Sequence, residues 1–181
     1  MLKIMIRVLS ALLLAGTVLF AQTGAPTPKI PRPASNFAIQ TAPEKYTWLS
    51  EFQGKTCLLA FIETTCPHCQ FTTGILNKIQ TEYAAKGVTV IASAIEPMSS
   101  LHIPAFQKQF QPKFPVGYNE LGYVAKFLGL PENDPFFVPQ IVIIDKSGVI
   151  RAHLTGDSPE MIQDSQEKNL KALLDKVLAG K

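Results

Sequence analysis

The chain holds 181 residues, with 17 Lys and Arg against 14 Asp and Glu, 46% hydrophobic residues and 3 cysteines. That length predicts one domain plus an appendage, large enough to bury a core without disulfide or metal staples. The few charges exclude a disordered chain, the formal charge of +3 excludes the clustered basic footprint of a nucleic-acid binder, and the cysteines are too few for a disulfide scaffold.

Residues 1–21 begin with the positive Lys3 and Arg7 and continue as an apolar run from Val8 to Phe20. The run is shorter than the roughly 20 residues of a membrane span and fits the apolar region of a signal peptide ending at Ala21. An uncleaved N-terminal anchor is the other reading, and no cysteine follows that could carry a lipid. Both readings export the rest of the chain to the periplasm, where disulfides persist. Residues 22–33, with Pro26, Pro28, Pro31 and Pro33, predict an extended spacer. One folded domain is expected over 34–181.

Thr56 to Ile62 is a continuous apolar run, expected as a strand buried on both faces. Phe71, Ile75, Leu76, Ile79 and Tyr83 then recur at helical spacing up to Lys86-Gly87. Val88 to Ile95 is a second buried strand, completing a βαβ unit with a right-handed crossover. A helix over Ser100 to Phe110 must hold Pro104 in its first turn or break there. Phe114 to Tyr118 reads as an edge strand because of Pro115. Glu120 to Leu128 predicts a helix with Leu121, Val124, Ala125 and Leu128 on its buried face. Gln140 to Ile144 and Val149 to Leu154 form a hairpin around Asp145-Lys146-Ser147-Gly148. Met161 to Leu178 closes the domain as an amphipathic helix whose apolar positions include Ile162, Leu170, Leu173, Leu174 and Val177. Helices flanking such a sheet make a three-layer α/β sandwich.

Cys66-Pro67-His68-Cys69 lies where the first strand gives way to its helix. Unpaired N–H groups and the helix dipole favour a thiolate at Cys66, and the thiolate is the nucleophile. Pro67 suits the first helical turn. His68 can donate to the Cys66 sulfur or stand beside it as a cation, and Cys69, on the same face and a turn deeper, is placed to resolve a mixed disulfide. Two other readings compete: Cys66, His68 and Cys69 as metal ligands, and an inert disulfide, whose short loop constrains the unfolded chain little. His68 lies off the face that carries both sulfurs, and the chain has no second Cys/His cluster.

The TTCPHC block after its strand, the stretch FFVPQIVIIDKSGVIRAHLTG and the insertion between Ile95 and Phe114 resemble the thioredoxin superfamily. They are most similar to exported TlpA/ResA-like thiol-disulfide oxidoreductases, from about Pro33 to Leu178. The resemblance implies a thioredoxin-like sandwich with a central mixed sheet, Cys66 as attacking and Cys69 as resolving thiol, and Pro139 as a cis-proline facing them. It also implies that the Val138 backbone receives an extended substrate chain by strand addition, with Pro67 beside it. It implies protein thiols and disulfides as substrates, a membrane or periplasmic redox partner and no cofactor.

The sequence departs from that family where Thr65 stands for the usual Trp and Val138 for the usual Thr. Pro-His inside the motif and Val before the proline resemble DsbA-type disulfide donors, but the chain has no room for their helical insertion. The buried acid that many members place six residues before the attacking cysteine is Ala60 here; Glu63 is the nearest acid, either a displaced proton relay or a solvated strand-end residue. These features predict a disulfide more oxidising than thioredoxin's. Alternatives are a metal-delivery protein using Cys66 and Cys69, and a peroxiredoxin-like peroxidase, which Glu63 disfavours because Thr or Ser is needed three residues before the cysteine. Cys57 reads as a buried inert residue, His102 and His153 as surface residues, Trp48 as packing ahead of the first central strand, and Phe136-Phe137 as a substrate-facing apolar rim or plain core.

Overall fold

A computed structural model describes residues 28–131 and 134–180. The expected export segment, 1–21, lies outside the described residues. Among the described residues no helix is long and apolar enough to cross a membrane.

The strands are β1 (Arg32–Pro33), β2 (Ala38–Ala42), β3 (Lys45–Trp48), β4 (Thr56–Ile62), β5 (Val88–Ala94), β6 (Val116–Tyr118), β7 (Gln140–Ile144) and β8 (Val149–Leu154). They form one 8-stranded mixed sheet in the order β1-β8-β7-β4-β5-β6-β2-β3. At its centre β4 pairs parallel with β5 and antiparallel with β7, with Phe61 opposite Gln140. The four helices are α1 (Pro67–Tyr83), α2 (Ser99–Phe110), α3 (Leu121–Leu128) and α4 (Gln163–Leu178).

The alternation of β4 divides the core. Leu58, Ala60 and Ile62 pack with Ile75, Leu76 and Ile79 of α1, Ile103 and Phe106 of α2, and Leu170 and Leu174 of α4. Cys57, Leu59 and Phe61 face the opposite side, with Phe37 and with Val124, Phe127 and Leu128 of α3. Because β4 is buried on both faces it is apolar throughout, which explains its run without alternation. The result is the thioredoxin-like α/β sandwich.

Several elements differ from the sequence reading, each for a tertiary reason. The spacer assigned to 22–33 ends earlier than expected: Arg32 and Pro33 pair with Ile150 and Val149 as an edge strand. The Arg32 guanidinium donates to the carbonyls of Phe127 and Leu128 at 3.1 and 3.0 Å, capping the end of α3. The β2–β3 hairpin was not anticipated, and it turns β6 from an edge strand into an interior one between β5 and β2. Pro115 precedes β6, so no ladder donor is lost within the strand, and Gly117 admits the neighbouring chain: a Cβ there would lie 2.4 Å from the Gln40 carbonyl oxygen.

Pro104 lies inside α2, neither in its first turn nor at a break. Its ring leaves the Ser100 carbonyl without an i+4 donor, and the burial of Ile103 and Phe106 on either side carries the helix through. Leu121 and Ile162, expected on buried faces, are 43% and 60% exposed, while Phe127 takes the inward place on α3. Trp48 is also exposed, in β3, with its ring 6.4 Å from that of Tyr46.

Candidate active site

The carboxyl end of β4 and the start of β7 lie side by side at one end of the sheet. The first carries Glu63 to Cys69 and the second Val138-Pro139, so the topology brings together the two segments that the sequence singles out.

Cys66 is the N-cap of α1, with extended backbone, and Pro67 occupies the first helical turn. The Cys66 sulfur takes the capping role by accepting the Cys69 N–H at 3.4 Å. It is half-buried, whereas Cys69 is fully buried, and both stand as free thiols. Burial pushes the Cys69 thiol far above its ordinary value; the Glu63 N–H, donating to its sulfur at 3.4 Å, pulls it down, while the nearby Cys66 and Glu63 push it up. A thiol this far under the surface stays protonated until something assists it, which suits a second, resolving step.

His68 does not make the hydrogen bond to Cys66 that its position suggests. The partner of the Cys66 sulfur is the Cys69 N–H, and the His68 Nε2 is shut from solvent with no partner. Glu63 is half-buried; beyond its N–H on Cys69, its carbonyl accepts the Cys66 N–H at 3.2 Å.

Val138-Pro139 is a cis peptide, and Pro139 is buried immediately before β7. Among the described residues the Val138 N–H donates to no protein acceptor. Sequence reasoning missed what stands behind this loop. Gly156, after β8, donates its N–H to the Phe137 carbonyl at 3.0 Å. A Cβ on Gly156 would lie 2.3 Å from the Val138 carbonyl oxygen and 3.2 Å from the Pro139 nitrogen. Only a glycine lets the two backbones come this close.

The two outlying histidines are not plain surface residues. His153 meets the side-chain oxygen of the fully buried Gln140 at 2.7 Å. Burial, reinforced by the nearby Arg32 charge, lowers its pKa to about 4, so it is neutral at neutral pH. The His102 Nδ1 lies 3.6 Å from a carboxylate oxygen of Glu96. Cys57 is buried in the α3-side core, where desolvation pushes its thiol up to about 12.

Glu96 is the second residue that the sequence reading passed over. It follows β5, and its side chain is 10% exposed. One carboxylate oxygen accepts the Thr64 N–H at 3.0 Å and also the Thr64 hydroxyl. The available signal was an acid just past a buried strand, at the carboxyl edge where α/β sheets gather functional groups. A cleft of about 530 Å³ opens beside it, lined by Glu63, Glu96, Met98, Leu121 and Phe136. Phe137 is 51% exposed, while Phe136 packs against the α3-side core. Among the described residues no group of three or more His, Cys, Asp or Glu is arranged to hold a metal ion.

The family model described as Redoxin matches residues 23–174. The chain belongs to the Redoxin family. It is similar to the thiol-disulfide oxidoreductase ResA of Bacillus thuringiensis subsp. konkukian (strain 97-27), at 28% identity over 176 residues, covering 94% of this chain and 96% of the relative. It is also similar to the thioredoxin-like protein YneN of Bacillus subtilis (strain 168), at 27% identity, covering 65% of this chain and 66% of the relative. Among solved structures, a putative thiol:disulfide interchange protein DsbE from Chlorobium tepidum aligns with a TM-score of 0.65 at 23% identity, covering 80% of this chain and 96% of that one. A hypothetical protein from Sinorhizobium meliloti 1021 aligns with a TM-score of 0.70 at 24% identity, covering 86% and 87%. These two share the fold. This Redoxin protein is thus a ResA-like oxidoreductase of the thioredoxin superfamily.

Proposed function

We propose that the protein is an exported thiol-disulfide oxidoreductase that exchanges disulfides with other exported proteins through Cys66 and Cys69. The observation that carries this reading is the vertical pairing of the thiols: Cys66, partly open at a helix N-terminus, lies above the buried Cys69 and is linked to it by one N–H···S contact.

In the reducing direction the Cys66 thiolate attacks one sulfur of a substrate disulfide. A Cys66–substrate disulfide forms, and the other substrate sulfur leaves as a thiolate. Cys69 then loses its proton and attacks the Cys66 sulfur, which closes the Cys66–Cys69 disulfide and releases the second substrate sulfur. Two electrons have passed to the substrate, and its thiolates take up the protons that the two cysteines lost. Disulfide donation runs the same steps backward. The Val138 N–H, just before β7 and without an acceptor among the described residues, supports strand addition by an extended substrate segment, with Pro139 and the exposed Pro67 beside it and Phe137 as an apolar rim.

The disulfide is more oxidising than thioredoxin's. Ala60 supports this, since it lies in the same core cluster as Cys69 and puts a methyl group where an acid would oppose a thiolate. The helix N-terminus at Cys66 acts in the same direction by stabilising the reduced form. The charged and apolar pattern of residues 1–21 supports export to the periplasm, by cleavage or anchoring, and a membrane or periplasmic partner that resets the pair. No cofactor enters this chemistry.

Equilibration in glutathione buffers, followed by thiol alkylation and a mobility shift, tests the reading. A reversible Cys66–Cys69 disulfide well above thioredoxin's potential of about −270 mV is the expected result. The Cys66→Ser variant is expected to lose insulin disulfide reduction completely, and residual turnover would overturn the assignment.

A further inference from the structure

The turn between β4 and α1 supports both sulfurs with backbone groups, and one short segment after β5 holds that turn. The Ile62–Glu63 peptide gives its N–H to the Cys69 sulfur, while its carbonyl accepts the Ile95 N–H at 3.0 Å. The following peptide, Glu63–Thr64, gives its carbonyl to the Cys66 N–H and its N–H to the Glu96 carboxylate. Ile95 and Glu96 therefore grip two consecutive peptides, and the opposite side of each peptide faces a cysteine. Gln70 completes the clamp by donating to the Thr64 carbonyl at 2.9 Å.

Glu96 is the only side chain in that clamp that comes from outside the β4–α1 segment, and it is buried for the purpose. One of its oxygens takes both Thr64 donors; the other is enclosed without a partner. Burying a carboxylate with one oxygen unsatisfied is costly; the two Thr64 donors and His102, whose Nδ1 lies 3.6 Å from the carboxylate, are what favour Glu over an apolar residue here. Without the carboxylate, the Thr64 N–H and hydroxyl would lose their acceptor, and the Glu63–Thr64 peptide could rotate. Rotation would take the Glu63 carbonyl off the Cys66 N–H and loosen Glu63, whose own N–H, in the preceding peptide, meets the Cys69 sulfur. That N–H is the contact that favours the Cys69 thiolate against its burial.

We propose that Glu96 is a positioning residue for the resolving thiol, acting through Thr64 and the Glu63 N–H rather than by touching either sulfur. This rests on Cys66 and Cys69 being the redox pair. The step it governs is the second one: Cys69 loses its proton, attacks the Cys66 sulfur of the mixed disulfide, and expels the substrate thiolate.

The experiment mixes the reduced full-length protein with oxidised glutathione, quenches with acid and follows the Cys66–glutathione disulfide as it forms and resolves. Three variants separate reach from charge. Glu96→Ala removes the acceptor; Glu96→Asp keeps the charge but draws it back by one methylene; Glu96→Gln keeps the acceptor in place without the charge. Resolution is expected to slow about tenfold in the Ala and Asp variants, the worth of one lost hydrogen bond, and to stay near wild type in the Gln variant. The pH profile of Cys69 alkylation, measured in a Cys66→Ser background, is expected to move upward with Ala and Asp and not with Gln, a change that loss of global stability alone does not produce. Unchanged resolution in all folded variants, equal slowing in all three, or a slow Gln variant beside a normal Asp variant would each overturn the proposal. If the Ala variant does not fold, the Asp and Gln pair decides alone. A wild-type protein that forms no mixed disulfide at all would instead bring down the redox reading itself.

Discussion

Cys57 and Cys69 are both fully buried, in the two halves of the core that β4 separates, and they differ in what surrounds the sulfur. Cys57 lies early in β4 among Leu59, Phe61 and Ile144 on the α3 side. Desolvation alone acts on it and holds its thiol at about 12. Cys69 is raised as well, first by burial and then by the nearby Cys66 and Glu63, yet it has the Glu63 N–H on its sulfur and Cys66 one helical turn away. Burial by itself makes a thiol inert. Placement where a strand ends and a helix begins surrounds the Cys66–Cys69 pair with backbone N–H groups, one from Glu63 and one from Cys69 itself, that Cys57 in mid-strand lacks.

The sharpest break in that comparison is the pair of single substitutions at cysteines: Cys66→Ser is expected to end insulin reduction, whereas Cys57→Ala is expected to leave turnover at the wild-type level. A measurable loss of activity on replacing Cys57 would mean that the α3-side core takes part in the chemistry. The next largest effect is expected from Gly156→Ala, whose methyl group must push the Val138 carbonyl aside. Overpacking of this kind destabilises by about 1–3 kcal/mol, and the shift reaches the Val138 N–H. Urea unfolding should show the loss, and kcat/KM for a protein disulfide should fall more than the rate with a small disulfide such as oxidised glutathione.

His153 gives a smaller, pH-linked effect on the α3 side. Its pKa falls from about 6.5 in the unfolded chain to about 4 in the fold. The folded state therefore binds fewer protons, and the stability from a neutral His153 is complete above pH 6.5 and lost as pH falls toward 4. A His153→Gln variant, measured by urea unfolding across that window, should show a flatter dependence; an unchanged slope would remove His153 from the account. The smallest effect is the stability change of Cys57→Ala, roughly 1 kcal/mol for the small cavity it leaves, read from the same unfolding curves.

Much of the central architecture is legible in the chain because its signals are local. The runs 56–62 and 140–144 announce buried strands by length and composition, and the motif at Cys66 announces a helix start by its Pro67 and by the helical repeat that follows. The Asp145–Gly148 turn lies in the sequence as turn chemistry, with Gly148 at φ +78°. The fold departs from the local signal where neighbouring elements outweigh it. Pro104 and Pro115 read as a helix break and an edge marker, but the core contacts of Ile103 and Phe106, and the β2–β3 hairpin beyond β6, overruled both.

Periodicity or spacing within a few residues is enough to place the βαβ unit, the closing hairpin and the position of Cys66 and Cys69 at a strand–helix junction. Which distant groups serve that junction depends on how the whole chain packs. Glu96 reaches Thr64 across 32 positions of the chain, Arg32 caps α3 across 95 and 96, and Gly156 backs the Val138-Pro139 peptide from the far end of the β7–β8 hairpin. Such pairings follow from strand order and from which side chains the core leaves room for, and neither is written in the period of any one segment.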